Sequence, residues 1–136
     1  LSPPYWINMG AMAISTLGGA LLIENADHAP LLLAVLPWLK GMTVMYWATG
    51  TWWIPLLLLL GAWRYVLRRS PLHYDPMYWA VVFPLGMYAA STHALIVALD
   101  LGFLVPLPKI VFAVALAAWL TAFVGWLRAV LRPAPP

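Results

Sequence analysis

Long runs of apolar residues, separated by a few short polar segments, dominate this chain. A helix needs about 20 apolar residues to cross the hydrocarbon core of a bilayer. Four segments reach this length, so the sequence predicts an all-α membrane protein whose four transmembrane helices form two hairpins. The predicted spans are residues 5–23, 41–63, 77–99 and 107–127.

The apolar stretch from Pro30 to Leu67 is too long for one span and too short for two. A helix over its whole length would measure roughly 55 Å, against a hydrocarbon core of about 30 Å. Because a proline cannot donate a backbone hydrogen bond, we expect Pro37 to break the helix. The sequence therefore predicts a short interfacial helix at 30–36, with Lys40 reaching the headgroups at the start of the second span.

The composition agrees with a membrane protein. Of the 136 residues, 65% are apolar and 8% are charged, and the mean hydropathy is +0.90. Soluble domains are about half apolar and about a quarter charged. The net charge of +3 would suit a nucleic-acid ligand, but so few basic residues in so apolar a chain are better explained by membrane orientation. We expect no nucleic-acid partner, and the lack of cysteine excludes disulfides and thiolate metal sites.

The basic residues cluster on one predicted side of the membrane. One cluster follows the second span and another follows the fourth; they are Arg64, Arg68, Arg69, Arg128 and Arg132. The positive-inside rule places both clusters in the cytoplasm, so both ends of the chain are predicted to be cytoplasmic and the protein to lie in the cytoplasmic (inner) membrane. The tail 132–136 is predicted to be disordered.

The second span contains residues that bend a helix. Gly50 and Thr51 precede Pro55 by about one turn, which predicts a kink in the membrane. Backbone groups freed at a kink need partners, and either a water-filled cavity or the hydroxyls of Thr49 and Thr51 can supply them. These residues are therefore candidates for lining a pore, while satisfaction of the kink within the protein remains open.

The third span places one aromatic ring on a face of small residues. At 100° per residue, Phe83 shares a face with Gly86 and Ala90, beside a predicted bend at Pro84. This arrangement suits an aromatic plug in a narrow pore. On the pattern alone, an aromatic side chain packed into a groove of a neighbouring helix explains it better, and ordinary helix packing also explains the small residues better than a pore does.

The polar residues predict neither an enzyme nor a metal protein. Ser91 and His93 are two positions apart on a helix and point about 200° away from each other, which excludes a catalytic dyad. His28 and His73 lie in loops on opposite predicted sides of the membrane, so they are not expected to share a metal ion. We expect no catalytic residue, no cofactor and no metal.

Three motifs, in order along the chain, resemble a known transporter family. They begin at Tyr5 (YWINMGAMAISTL), Gly50 (GTWWIP) and Tyr78 (YWAVVFPLGMY). Over essentially its whole length the chain resembles the tellurite-resistance/C4-dicarboxylate transporter (TDT) family, which is related to plant slow-type anion channels. The resemblance implies ten helices, arranged as five hairpins around a pore in each protomer, and protomers assembled as homotrimers.

Under this resemblance the chain corresponds to helices seven to ten of the pseudo-fivefold fold. Trp79, Phe83 and Pro84 match a Trp-x-x-x-Phe-Pro pattern, which implies that Phe83 is the pore gate. Because six helices are missing and the chain begins with Leu1, we expect a C-terminal fragment. The expected function is passage of small anions of the C4-dicarboxylate, tellurite, sulfite or halide class. The alternative is a small four-helix structural subunit of a larger membrane complex.

Overall fold

The computed structural model describes residues 6–63 and 76–131, most of which lie in four long helices. The helices are α1 Trp6–Glu24, α2 Pro30–Ala62, α3 Trp79–Leu99 and α4 Pro106–Leu131. Short 3-10 turns lie beside the helix ends at Ala26–His28, Pro76–Tyr78 and Gly102–Leu104. All four helices are long and apolar enough to cross a membrane. The prediction of an all-α membrane fold with four such helices is confirmed.

Several predicted features fall outside the described residues. They are the basic loop residues Arg64, Arg68 and Arg69, the loop residue His73, and the tail 132–136 with Arg132. Of the basic clusters used to orient the chain, Arg128 lies within the described part, in the last turn of α4.

The helices divide into an inner pair and an outer pair. α1 packs extensively against both α2 and α3, and α4 packs against α3. In the most apolar stretch of each helix, 39% of the residues of α1 and 44% of those of α3 are buried, against 6% in α2 and 11% in α4. α1 and α3 are therefore the inner helices of the bundle, and α2 and α4 are the outer ones.

α2 is one continuous helix of 33 residues, so the predicted short helix at 30–36 and the predicted break at Pro37 are wrong. Pro37 removes one helical hydrogen bond, the one to the carbonyl of Leu33. Ending the helix would leave more backbone groups in need of partners, which apolar surroundings do not supply. Between Lys40 and Ala62 the helix rises roughly 33 Å, close to the thickness of a bilayer core. A membrane boundary at Lys40 stays a prediction.

α1 and α2 form an antiparallel hairpin with close contacts at two levels. A side-chain carbon added to Gly19 would collide with Thr43, and one added to Gly50 would lie 3.3 Å from Met12 Cβ. Gly19, late in α1, thus faces Thr43, early in α2, and Met12, earlier in α1, faces Gly50, later in α2, so the two helices are antiparallel. Because glycine has no side chain, the two helix backbones can approach each other closely at both levels.

α3 also runs antiparallel to α2. Its later residue Thr92 contacts Trp47 of α2, and its earlier residue Tyr88 contacts Thr51. Since α1 and α3 are both antiparallel to α2, they are parallel to each other. The two inner helices therefore begin at the same end of the bundle.

The turn between α3 and α4 reverses the chain direction within a few residues. Asp100 ends α3 in the left-handed conformation, with φ of 53°. The N–H of the next residue, Leu101, donates to the carbonyl of Ile96 at 3.1 Å, which caps the last turn of the helix. After the 3-10 turn, α4 returns along α3 as the second hairpin.

Candidate functional site

Small residues recur on the exposed face of α1. Ala11, Ser15 and Gly18 recur every three or four residues, so they lie on one side of the helix, and all three are exposed. Met9 and Thr16, which lie on the other side, are both 0% exposed. α1 therefore has one fully packed side and one exposed side, on which small residues alternate with larger apolar side chains.

α3 has a corresponding exposed face. Phe83 is 57% exposed, Ala90 is exposed and Gly86 is half-buried, so the three residues share a face as the sequence predicted. Pro84, in contrast, is buried, and its Cγ would lie 3.2 Å from a side-chain carbon added to Gly10. Within the described part of the chain, the ring of Phe83 is not packed into a groove of another helix.

The exposed faces of α1 and α3 point to the same side of the bundle. Gly10 and Pro84 mark where the two parallel helices face each other. Gly10 points toward α3 and Pro84 points toward α1, so these two directions differ by 180°. Ala11 follows Gly10 and is rotated about 100° from it around the helix axis, whereas Phe83 precedes Pro84 and is rotated about 100° the other way. Ala11 and Phe83 therefore point in directions only about 20° apart. We call this common surface the open face; its small residues and its aromatic residue are Ala11, Ser15, Gly18, Phe83, Gly86 and Ala90. Exposed branched side chains lie on it as well, namely Ile7, Ile14, Leu22 and Val97.

The outer helices expose a different kind of surface. On α2, Trp52 is 80% exposed and Leu59 is 69% exposed, and on α4, Ile110 and Phe112 are 62% and 60% exposed. Large apolar side chains of this kind suit contact with lipid chains. The open face has small residues between its exposed larger side chains, and these leave space beside the helices or admit another helix closely.

The candidates on α2 serve packing more than the open face. Gly50 is buried against Met12 of α1. The hydroxyl of Thr51 lies 2.6 Å from that of Tyr88 and also donates to the carbonyl of Trp47. It therefore does not satisfy the backbone carbonyl of Thr51, which loses its helical N–H donor at Pro55. Pro55 is exposed and lies within the continuous helix. A kink in α2 stays a prediction.

A network of polar side chains links α2 to the buried side of α3. Trp47 donates from Nε1 to Thr92 Oγ1 at 3.0 Å, and the hydroxyls of Thr51 and Tyr88 are in contact. Sequence reasoning missed Trp47, Tyr88 and Thr92 as a group. The available signal was spacing: Trp47 and Thr51 on α2 are four residues apart, as are Tyr88 and Thr92 on α3, so each pair lies on one face of its helix.

The inner helices carry little charge. Neither residues 6–23 nor any part of α3 includes an acidic or basic residue other than His93, which is exposed. Ser91, two residues earlier, is buried and donates to the carbonyl of Tyr88 at 3.1 Å, so Ser91 and His93 point apart. Across residues 6–63 and 76–131, no group of three or more His, Cys, Asp or Glu side chains could hold a metal ion.

Two hairpins of membrane-length helices define a polytopic membrane protein. The chain belongs to the voltage-dependent anion channel family, whose family profile matches residues 1–127. The predicted membership of the TDT family and its slow-type anion channel relatives is thereby confirmed.

Curated relatives agree with this assignment. An uncharacterized membrane protein of Mycobacterium tuberculosis is 42% identical over 128 residues, which cover 94% of this chain and 64% of the relative. An uncharacterized transporter of Methanocaldococcus jannaschii is 30% identical over 93 residues, covering 68% of this chain and 25% of the relative. The chain thus spans less than two thirds of the length of either relative. No solved structure matches the chain significantly.

Proposed function

We propose that this chain forms part of a membrane channel or transporter that passes small anions along its open face. The anions are of the C4-dicarboxylate, tellurite, sulfite or halide class, and the protein carries out no chemical reaction on them. One observation supports this most directly: the parallel inner helices turn a recurring set of small residues and the ring of Phe83 to the same side of the bundle. Membership of an anion channel family supports the nature of the solute.

Phe83 is the proposed pore gate. It is the large aromatic side chain on the open face, and it is 57% exposed. The small residues Gly86 and Ala90 follow it on the same face, and the buried Pro84 lies next to it in the chain. A hydrophobic ring in a narrow path opposes the passage of a hydrated anion, because the ion loses water there and gains no polar partner. Moving the ring aside would open space beside the small residues Ala11 and Gly86.

Helices outside this chain would complete the pore. Two hairpins do not enclose a path, and the relatives are longer than the matched region. We propose that the chain supplies helices seven to ten of a ten-helix protomer, that the protomers form homotrimers, and that both ends of this segment lie in the cytoplasm at the inner membrane. The absence of charge along the inner helices implies that backbone and hydroxyl dipoles contribute to anion selectivity.

The test is the Phe83→Ala substitution in the complete reading frame that contains this chain, with anion flux measured in proteoliposomes. Removing the ring should lower the barrier by at least about 1.4 kcal/mol, which corresponds to a rise of at least about tenfold in flux. Phe112→Ala is the matched control, because Phe112 is exposed to a similar extent, 60%, but lies on the outer helix α4. That control should leave the flux unchanged.

A normal flux in Phe83→Ala, with normal assembly, would remove Phe83 as the gate. The structural-subunit alternative makes a different prediction for the same variant. If the open face only docks another helix, loss of the Phe83 ring should weaken assembly in the membrane and create no anion leak. Co-purification of the assembled protein beside the flux measurement therefore separates the two functions.

A further inference from the structure

The network between α2 and α3 has a defined direction of hydrogen bonding. The indole N–H of Trp47 is a donor only, and it points to Thr92. The single hydroxyl proton of Thr51 goes to the carbonyl of Trp47 at 2.8 Å, so Tyr88 must donate to Thr51 across their 2.6 Å contact.

Three bonds connect the four residues. They run from the indole N–H of Trp47 to Thr92, from Tyr88 to Thr51, and from Thr51 to the backbone carbonyl of Trp47. The described residues contain no buried side-chain nitrogen or oxygen that lacks a hydrogen-bond partner. Two of the bonds cross between α2 and α3, at positions one turn apart on α3, so together they oppose rotation of α3. We call these four residues the α2–α3 network.

The α2–α3 network lies on the opposite side of α3 from the open face. Tyr88 follows Phe83 by five residues, which is a rotation of about 140° around the helix axis. Tyr88 and Thr92 are 1% and 0% exposed, whereas Phe83 is 57% exposed. Any rotation of α3 about its axis would have to stretch the bonds to Trp47 and Thr51 on one side and would move Phe83 on the other.

We infer that Trp47, Thr51, Tyr88 and Thr92 set the rotation of α3 and thereby hold the Phe83 ring in its position on the open face. The four residues are positioning residues, since they act on the anion path through Phe83. This inference rests on the proposed function of Phe83. It gives Thr51, first considered as a pore-lining residue, a role behind the gate.

The main test compares Thr51→Val with Thr51→Ser in the complete protein. Valine has nearly the shape of threonine but removes the hydroxyl, whereas serine keeps it. Thr51→Val should raise the basal anion flux about threefold to tenfold, the shift in population expected from loss of one hydrogen bond in a membrane protein. Thr51→Ser should keep the original flux. Flux is expressed per amount of assembled protein, so that poor folding does not imitate the result.

A second comparison places both variants in the Phe83→Ala background. If Thr51 acts through the ring of Phe83, Thr51→Val should add nothing once that ring is absent. An equal rise in both backgrounds, or no rise in the presence of Phe83, would overturn the inference. Tyr46→Phe is the control for loss of a hydroxyl from the same stretch of α2, because within the described residues no hydrogen bond joins Tyr46 to α3.

A labelling measurement separates failure of this inference from failure of the gate. The chain has no cysteine, so Phe83→Cys introduces one thiol into it. Its rate of reaction with a water-soluble thiol reagent reports the position of residue 83 whether or not that residue controls flux. Thr51→Val should change this rate at least about threefold, and Thr51→Ser should not. Equal labelling rates with and without Thr51→Val would show that the hydrogen bonds between α2 and α3 do not position α3, even if Phe83→Ala alone confirmed the gate.

Discussion

Two adjacent glycines on α1 allow the packing of α1 against α2 to be tested with a matched pair of substitutions. A side-chain carbon added to Gly19 would lie 2.9 Å from Thr43 Cγ2 and 3.0 Å from Thr43 Cβ, and closer still to Thr43 Oγ1. The same atom added to Gly18 meets nothing within 4 Å. Gly19→Ala is therefore expected to destabilise the α1–α2 hairpin, and Gly18→Ala is not.

The magnitude follows from the contact distances. Carbon atoms pack best at about 3.5–4.0 Å, so the helices would have to separate by at least about 0.5 Å at this level. Thr43 cannot move away easily, because it is 1% exposed and its hydroxyl donates to the carbonyl of Leu39 at 2.7 Å. Overpacking of this kind costs about 1–3 kcal/mol, against a gain of up to about 1 kcal/mol from replacing glycine by alanine in a helix. We expect a net loss of about 1–2 kcal/mol for Gly19→Ala and a change between zero and a gain of about 1 kcal/mol for Gly18→Ala.

The assay is unfolding of the purified protein in mixed micelles with a rising fraction of a denaturing detergent, followed by helix content. A difference of about 2 kcal/mol between the two variants corresponds to about thirtyfold in the unfolding constant. Thr43→Ala should restore most of the stability of Gly19→Ala by making room for the added methyl group. If Gly19→Ala proved as stable as Gly18→Ala, the close approach of α1 and α2 would be refuted.

Two further predictions use the absence of cysteine from the chain. Ala90→Cys on the open face should react with an anionic, water-soluble thiol reagent at least about tenfold faster than Ala113→Cys, an exposed alanine of the outer helix α4, because a solvated path raises reagent access over lipid; equal rates would contradict a solvated open face. His28→Cys, in the exposed turn between α1 and α2, should be labelled by a membrane-impermeant reagent added to intact cells, and labelling only after lysis would reverse the proposed orientation.

The sequence was sufficient to predict the positions of most helices. Runs of about 20 apolar residues between polar turns predicted spans at 5–23, 77–99 and 107–127, and the helices at Trp6–Glu24, Trp79–Leu99 and Pro106–Leu131 lie in the same places. In apolar surroundings a helix is the way for a single segment to satisfy its own backbone, so apolar length alone predicts the element.

The same principle explains the error at Pro37. In water a proline often ends a helix, because solvent satisfies the freed backbone groups. α2 continues through Pro37 and Pro55 because a helix with two missing hydrogen bonds is still better satisfied than separate segments with unpaired ends. The predicted break at Pro37 applied the behaviour of proline in water to a helix in apolar surroundings.

Side-chain roles in the site were only partly predictable. The shared face of Phe83, Gly86 and Ala90 follows from helix periodicity within one element, and the structure has it. Which face of α2 meets which neighbour depends on contacts between elements, so periodicity could not assign Gly50 to packing or pair Thr51 with Tyr88. Such pairings require the relative rotation of two helices, which a single sequence does not specify.

The packing order of the helices has a consequence for the biogenesis of the protein. α3 packs against a hairpin that precedes it in the chain, through Gly10 on α1 and Trp47 and Thr51 on α2. Because synthesis proceeds from the N-terminus, this docking surface is present before the ribosome has made α3. α4, made last of the four, packs mainly against α3 within the described residues. Each helix can thus dock as it leaves the translocon, without waiting for a later segment.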